Sequence, residues 1–478
     1  MPALTFSPLL NVHLEFDNLL TYEDFNISHL TPGFKNVIIF LNQSMKKSEK
    51  LLARRNAIVP EGMGMYSALT IASAKGAVLT DVDGKKYIDF AGGIGVLNAG
   101  HTPKPVVDAI AKQARQFLHS CFPVAMYEPY VALCEQLAIL FPHGKSTKVM
   151  LTNSGVEAVE NAIKIARQAT GKQGIISFDG GFHGRTLLGM TLTSKTSYKV
   201  GCGPFAPQVF NLPYPDHYKR NNGLSVEAFV KRELDAFENY LYTMEANIAA
   251  VIIELVQGEG GFVVAPKEYV QGLNNICKSR GILMIVDEVQ TGFGRTGKWA
   301  AYEHYKIVPD ISTWAKSMGS GMPIGAVIGR AEIMDRTSKG TLGGTYPGNP
   351  VSCAASLATI KYMKKVDLNT KAQKIGNTVM SFFRKLQRKC NAIGEVRGLG
   401  AMVAFELVKD NDPAKPDAEL CKALLSACAK KGLLIINAGV SGNVVRVLSP
   451  LIISEALLMK GLKIIETELL ELTSKRLD

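Results

Sequence analysis

The sequence predicts an α/β protein with a mostly parallel central sheet, helices on both of its faces, and a smaller α+β part. Three observations predict it. Short apolar runs at 147–152, 174–178, 249–255, 282–287, 311–314 and 324–329 alternate with helical patterns, as repeated strand–helix–strand units require. The run Ile282–Val286 is apolar without alternation, the mark of a strand covered on both faces. The chain of 478 residues, 47% of them hydrophobic, is also too long for one small core and rich enough in apolar residues for two.

Taken in order, residues 1–44 differ from the rest. They hold Glu15, Asp17, Glu23 and Asp24 against one lysine and no arginine. A signal peptide would begin with a basic region and a presequence would be Arg-rich, so this range reads as a poorly packed extension. From Met45 the pattern becomes an amphipathic helix, followed by a hairpin turning at Asp83-Gly84. From about residue 361 the pattern shifts to helices with short strands. Residues 201–224, rich in Pro, Gly and Asn, are expected to be irregular. An amphipathic helix is expected at 453–472.

Composition excludes several classes. No run of about eighteen apolar residues exists, so no membrane-spanning helix is expected. The net charge is +12, but its lysines and arginines are dispersed and no basic block alternates with aromatics, so no nucleic-acid partner is expected. The charge reads instead as attraction for anionic small molecules. The eight cysteines form no Cys-x-x-Cys pair and no metal spacing with histidine, so reduced thiols, a cytoplasmic location and no bound metal are expected.

Two positions carry the chemistry. The apolar run Ile282–Val286 ends in Asp287, and Lys316 follows the apolar run 311–315 and precedes Ser-Met-Gly-Ser-Gly. Ligands of open α/β sheets bind at the carboxyl ends of strands. A lysine and an aspartate at two such ends suit pyridoxal 5'-phosphate, which needs a lysine for its Schiff base and often an acid beside its pyridine nitrogen. Alone, each is more often a turn or surface residue. A third segment, Asn153-Ser-Gly-Val-Glu157, follows a strand and opens a helix. Ser154 and Glu157 fit a capping box, and the free N–H groups of a helix start suit a phosphate.

The stretches Val286-Asp-Glu-Val-Gln-Thr-Gly-Phe-Gly-Arg-Thr-Gly297 and Thr313-Trp-Ala-Lys-Ser-Met-Gly-Ser-Gly-Met-Pro-Ile-Gly325 resemble the class III (omega) aminotransferases of the fold-type I pyridoxal phosphate enzymes. The resemblance runs from about Lys46 to the C-terminus and implies a large cofactor domain at 101–360, with residues 45–100 and 361–478 together forming a smaller domain. It also implies that Lys316 holds the cofactor and then acts as the base, and that Asp287 keeps the ring nitrogen protonated. Gly155 and Val156 match the phosphate-binding pair, although relatives often carry Ser or Thr at the second position. Phe182 and Val289 would flank the ring, with Phe182 standing where relatives often have Tyr, and Gln290 would meet the ring hydroxyl. Thr345, in Gly343-Gly-Thr-Tyr-Pro-Gly-Asn-Pro350, matches the threonine that reaches the phosphate of a neighbouring subunit, so a homodimer, or a tetramer built from dimers, is implied.

Within that family the stretches Tyr87-Ile-Asp-Phe-Ala-Gly-Gly-Ile94, Glu157-Ala-Val-Glu-Asn-Ala162 and Arg397-Gly-Leu-Gly-Ala401 resemble those of bacterial 4-aminobutyrate aminotransferases. This likeness implies that Arg185 holds the distal carboxylate of an omega-amino acid and Arg446 the α-carboxylate of glutamate or 2-oxoglutarate. Glu259 would mask Arg446 when 4-aminobutyrate is bound, Ile94 would wall the pocket, and Glu254 would line it. The implied reaction converts 4-aminobutyrate and 2-oxoglutarate to succinate semialdehyde and glutamate. Ornithine, acetylornithine and 5-aminovalerate aminotransferases share this fold, some similar amino-acid racemases keep the lysine and the aspartate, and a catalytically silent binding homologue remains a formal alternative.

Overall fold

The computed structural model describes residues 45–244 and 247–475. The expected extension at 1–44 lies outside the described residues. The chain divides into two compact units, residues up to 74 with 78–87, and residues 75–77 with 88 onward.

In the first unit the expected helix spans Lys47–Ile58, but it buries none of its residues. Strands β1 (Ile71–Lys75) and β2 (Val78–Asp81) follow. The turn at Asp83-Gly84 forms as expected. Asp81 Oδ1 accepts the backbone N–H groups of Asp83 and Lys85 at 3.0 and 2.8 Å, an aspartate ordering the turn after itself. Strand β3 (Lys86–Asp89) closes this hairpin.

The second unit is built on a seven-stranded sheet. Its strands are β4 (Thr147–Thr152), β5 (Gly174–Phe178), β6 (Val209–Leu212), β7 (Ile248–Ile253), β8 (Leu283–Asp287), β9 (Ile311–Trp314) and β10 (Gly325–Arg330), in the spatial order β4-β10-β9-β8-β7-β5-β6. The pairs β9–β8, β8–β7, β7–β5 and β5–β6 are parallel. Only β10 runs against its neighbours. Successive residues of each strand feed opposite cores: Met284 and Val286 enter one hydrophobic cluster and Ile285 the other, as the two-residue period of a strand demands. The second cluster contains the face Ala158, Val159, Ala162, Ile163 and Ala166 of the helix Gly155–Thr170; its alanines let the helix axis lie close to the strands.

Two expectations need correction. Residues 201–224 are not wholly irregular, because β6 adds an edge strand in register with β5. The run Val209-Phe-Asn-Leu212 is short and flanked by Pro207 and Pro213, so local composition argues for a loop while pairing with an already formed sheet decides otherwise. The capping box is also altered. Ser154 Oγ accepts from Glu157 N at 3.3 Å, but the Glu157 carboxylate reaches back to Asn153 N at 2.7 Å rather than to the cap residue.

Beyond residue 361 the chain forms helices Leu368–Gln387, Ala418–Lys430 and Glu455–Ser474 and a four-stranded antiparallel sheet. The sheet strands are β11 (Ile393–Leu399), β12 (Met402–Leu407), β14 (Ile436–Ala438) and β15 (Val444–Val447), ordered β11-β12-β15-β14. The short β13 (Leu433–Leu434) pairs with Ile88 and Asp89 instead.

Candidate active site

The carboxyl ends of the parallel strands gather the sequence-predicted residues. Asp287 ends β8 and is buried. Its Oδ1 accepts from Thr313 Oγ1 at 3.1 Å and from Val289 N at 3.1 Å, and its Oδ2 lies 2.7 Å from His183 Nδ1. An ionised carboxylate only accepts, so Nδ1 of His183 carries the proton. Burial pushes the His183 pKa down, but the hydrogen bond and charge of Asp287, with Glu254 beyond, outweigh it and hold it above its ordinary value. Three donors leave the carboxylate about one further lone-pair direction for a protonated ring nitrogen.

Lys316 follows β9 through Ala315 and opens a single turn of 3-10 helix. Its φ is +49°, and that of Ile94 is +63°. For a β-branched side chain such as Ile94 this conformation is a true outlier, costing about 1–3 kcal/mol that the surroundings must supply. The supports are visible: Asp89 Oδ1 accepts from Ala91 N and Gly92 N, both at 2.8 Å, and Ser317 Oγ donates to Gly95 O at 3.0 Å. The Ile94 turn and the Lys316 turn are thereby tied together. Burial of the amine lowers the Lys316 pKa, and Arg446 adds to that, against the opposing carboxylates of Glu259, Glu254 and Asp287. A lowered pKa raises the fraction of neutral, reactive amine.

Gly155 and Val156 begin the helix whose N-terminus was expected to hold a phosphate. The structure adds a packing reason for the glycine. A Cβ at Gly155 would sit 2.8 Å from Val289 Cγ1, so the absent side chain lets the two segments meet. Val156 Cγ2 in turn occupies space that Cβ atoms at Gly184 and Gly189 would claim, at 2.1 and 2.7 Å. Gln290 is buried between Gly95 and Gly258, and its Oε1 has no hydrogen-bond partner. An unpartnered buried amide oxygen is costly and fits the hydroxyl of a bound ring.

Glu254 follows β7. Its Oε2 accepts from Phe182 N and its Oε1 from Gly258 N, both at 2.9 Å. Burial, with Asp287 adding to it, pushes this carboxyl up to about 7. Phe182 meets Tyr198 edge-on at 5.4 Å between ring centres. Arg185 is exposed and lies over Tyr198, 4.5 Å from its ring centre. Arg446, in β15, has no exposed surface. One of its terminal nitrogens, NH1, donates to Glu259 Oε1 at 2.6 Å and reaches Gly258 O at 3.5 Å, while its Nε and NH2 find no partner. Burial alone would raise the Glu259 pKa, but Arg446 reverses this and holds it below the usual carboxylate range. The sequence-predicted residues therefore converge, except one. Thr345 is exposed and makes no hydrogen bond among the described residues.

His183, Thr313 and Tyr198 escaped sequence reasoning as site residues. His183 stands next to Phe182 in the sequence, but its partner lies 104 positions away, a relation that no local pattern carries.

Comparison with known proteins agrees with this geometry. The family model described as aminotransferase class-III matches residues 59–469. A probable 4-aminobutyrate aminotransferase of Bacillus subtilis is 43% identical over 87% of this chain and 96% of its own length. A 5-aminovalerate aminotransferase of Pseudomonas aeruginosa is 44% identical over 88% of this chain and 98% of its own. Among solved structures, a PLP-bound amine transaminase from an uncultivated Pseudomonas species superposes with a TM-score of 0.82 at 29% identity, covering 87% of this chain and 98% of that one.

Proposed function

Because the chain belongs to the class-III aminotransferase family, a pyridoxal-phosphate-dependent family of transaminases, we propose that it moves the amino group of 4-aminobutyrate to 2-oxoglutarate, giving succinate semialdehyde and glutamate. One observation carries the choice of substrate. A fully buried arginine, Arg446, is half satisfied by Glu259 and keeps two unpartnered donors. Such a group suits a site that alternates between a substrate with an α-carboxylate and one without.

When bound, pyridoxal 5'-phosphate supplies an electron-accepting ring that stabilises negative charge on the substrate carbon losing its proton. Asp287, oriented by His183 and Thr313, places a negative charge where it keeps the ring nitrogen protonated. Lys316 Nζ, its pKa lowered by burial, anchors the cofactor and takes the proton from the substrate carbon that bears nitrogen. The N–H groups of Gly155 and Val156, at the start of their helix, would hold the phosphate. Gln290 Oε1, unpartnered among the described residues, would accept a hydrogen bond from the ring hydroxyl, and Phe182 and Val289 would flank the ring. Residues 101–360 thus supply the cofactor site, and residues 361–478 supply Arg446.

In the first half-reaction Arg185 takes the carboxylate of 4-aminobutyrate through its planar fork, Ile94 walls the pocket and Glu259 neutralises Arg446. In the second, the α-carboxylate of glutamate or 2-oxoglutarate replaces Glu259 on Arg446. Glu254 lines this site through its backbone contacts. Thr345 serves the phosphate site of a second protomer, which makes a homodimer the smallest active assembly. Among the described residues no helix is long and apolar enough to cross a membrane, in keeping with a cytoplasmic enzyme.

A panel of donors tests the reading: 4-aminobutyrate, 5-aminovalerate, ornithine, acetylornithine and branched α-amino acids, each with 2-oxoglutarate, with chiral analysis of the products. The expected result is highest kcat/KM for 4-aminobutyrate. Preference for 5-aminovalerate or ornithine, or racemisation without amino transfer, would replace it.

A further inference from the structure

The pair Arg446–Glu259 works as an exchangeable contact only if the backbone that carries Glu259 stays in place while its side chain turns away. A second arginine is built to hold that backbone. Arg397 lies opposite Ala404 across the β11–β12 pair, and Ala404 lies opposite Arg446 across the β12–β15 pair. Directly opposed residues project to the same face, so Arg397 and Arg446 rise from one sheet face on either side of Ala404. Both reach the same tight loop. Arg446 meets the side chain of Glu259, and Arg397 Nε donates to the backbone carbonyl of Gly261 at 2.8 Å.

Arg397 itself is buried and firmly held. One terminal nitrogen, NH1, lies 2.6 Å from Glu395 Oε2 and 2.7 Å from Glu406 Oε2, and Glu406 is shared with Lys219 Nζ at 2.6 Å. Four charges of alternating sign balance, which offsets the cost of burying this arginine. Gly261 completes the contact. Its φ is +103°, and a Cβ there would lie 2.9 Å from Val444 Cγ2 and 3.1 Å from Arg397 NH2, so only a residue without a side chain lets the guanidinium lie against the loop. The loop is closed at its base by Phe262 N to Gln257 O at 2.7 Å, and Gly439 N donates to Glu259 O at 2.9 Å.

We propose that Arg397 is the fixed anchor of the loop Gln257–Phe262, and thereby a positioning residue that sets how well Glu259 covers Arg446, and so which of the two acids the site accepts. This rests on the reading of Glu259 and Arg446 as an exchangeable pair. Arg397→Lys keeps a cation for Glu395 and Glu406 but has no Nε to hold the Gly261 carbonyl. The experiment mixes holoenzyme with 4-aminobutyrate or with glutamate and follows each half-reaction by absorbance in a single turnover. The 4-aminobutyrate rate constant should fall about tenfold relative to that for glutamate, the scale of one lost hydrogen bond from a charged donor. In a Glu259→Ser background the same substitution should leave that ratio unchanged, because there is no carboxylate left to position. An equal fall in both half-reactions, as a merely structural role would give, overturns the proposal, as does a full multiplicative effect in the double variant. Should Arg397→Lys not fold, Glu395→Gln loosens the same guanidinium and must shift the ratio in the same direction; an unchanged ratio overturns the proposal. If Glu259→Ser itself leaves the ratio untouched, the exchangeable pair has failed and the anchor falls with it.

Discussion

Replacing Glu259 by serine tests the substrate logic most directly. In the present geometry the Arg446 guanidinium has no exposed surface and the Glu259 side chain only 12%. Their 2.6 Å contact is the one ion pair that this guanidinium makes among the described residues, since Nε and NH2 are unpartnered. Removing one member of a buried pair costs about 3–5 kcal/mol because the other charge is left uncompensated. Serine is smaller than glutamate and admits water, so the lower end applies, about 3 kcal/mol. With glutamate the α-carboxylate restores the pair and the cost disappears; with 4-aminobutyrate nothing does. The 4-aminobutyrate half-reaction should therefore lose about two powers of ten in kcat/KM relative to the glutamate half-reaction, at about 1.4 kcal/mol per power of ten. Rapid mixing with each substrate alone, followed by the change in cofactor absorbance, measures the two constants separately. Equal losses on both substrates would refute the reasoning and move the assignment towards a racemase or another omega-amine.

The remaining predictions concern the cofactor, the assembly and a buried acid. Lys316→Ala should fold, retain cofactor through its phosphate and show no turnover and no covalent cofactor band, because no neighbouring amine can take over; turnover in that variant would show the lysine to be misassigned. Mixing Lys316→Ala with Thr345→Ala protomers should restore activity beyond the parental average if Thr345 acts across subunits, because half of the sites in a hybrid dimer are then intact. Glu288, next to Asp287, is pushed up to about 7 by burial, and it accepts from Tyr302 N at 3.0 Å and from the Thr291 hydroxyl. A carboxyl with a raised pKa contributes stability that is full below its unfolded pKa and is lost as pH rises through about 7. Glu288→Gln should therefore flatten the fall in Tm between roughly pH 4.5 and 7, whereas an unchanged slope in differential scanning would mean that Glu288 is ionised throughout.

Much of this was legible in the chain itself. Six of the seven strands of the large sheet were visible because short strand-like runs alternate with helical patterns along the chain. Asp287 and Lys316 were visible because they stand together at the ends of two such runs, within motifs that resemble the family's; alone, each would pass for a turn or surface residue. β6 was hidden because four residues between prolines carry too little pattern, and only a neighbouring strand could organise them. The same limit applies to the site. The pairing of Glu259 with Arg446, 187 positions apart, was legible only through the family resemblance, and the meeting of His183 with Asp287 across 104 positions was not read at all.

What the sequence by itself determined was the set of elements, since hydrophobic period, caps and turn residues act within a few positions along the chain. Only the tertiary structure decided which charges are buried together. It alone could place two arginines on one sheet face, set one against a carboxylate and the other against a backbone carbonyl, and leave the buried amide oxygen of Gln290 without a partner. Burial, the quantity that shifts a pKa and gives an ion pair its strength, belongs to the packed molecule and not to any stretch of it.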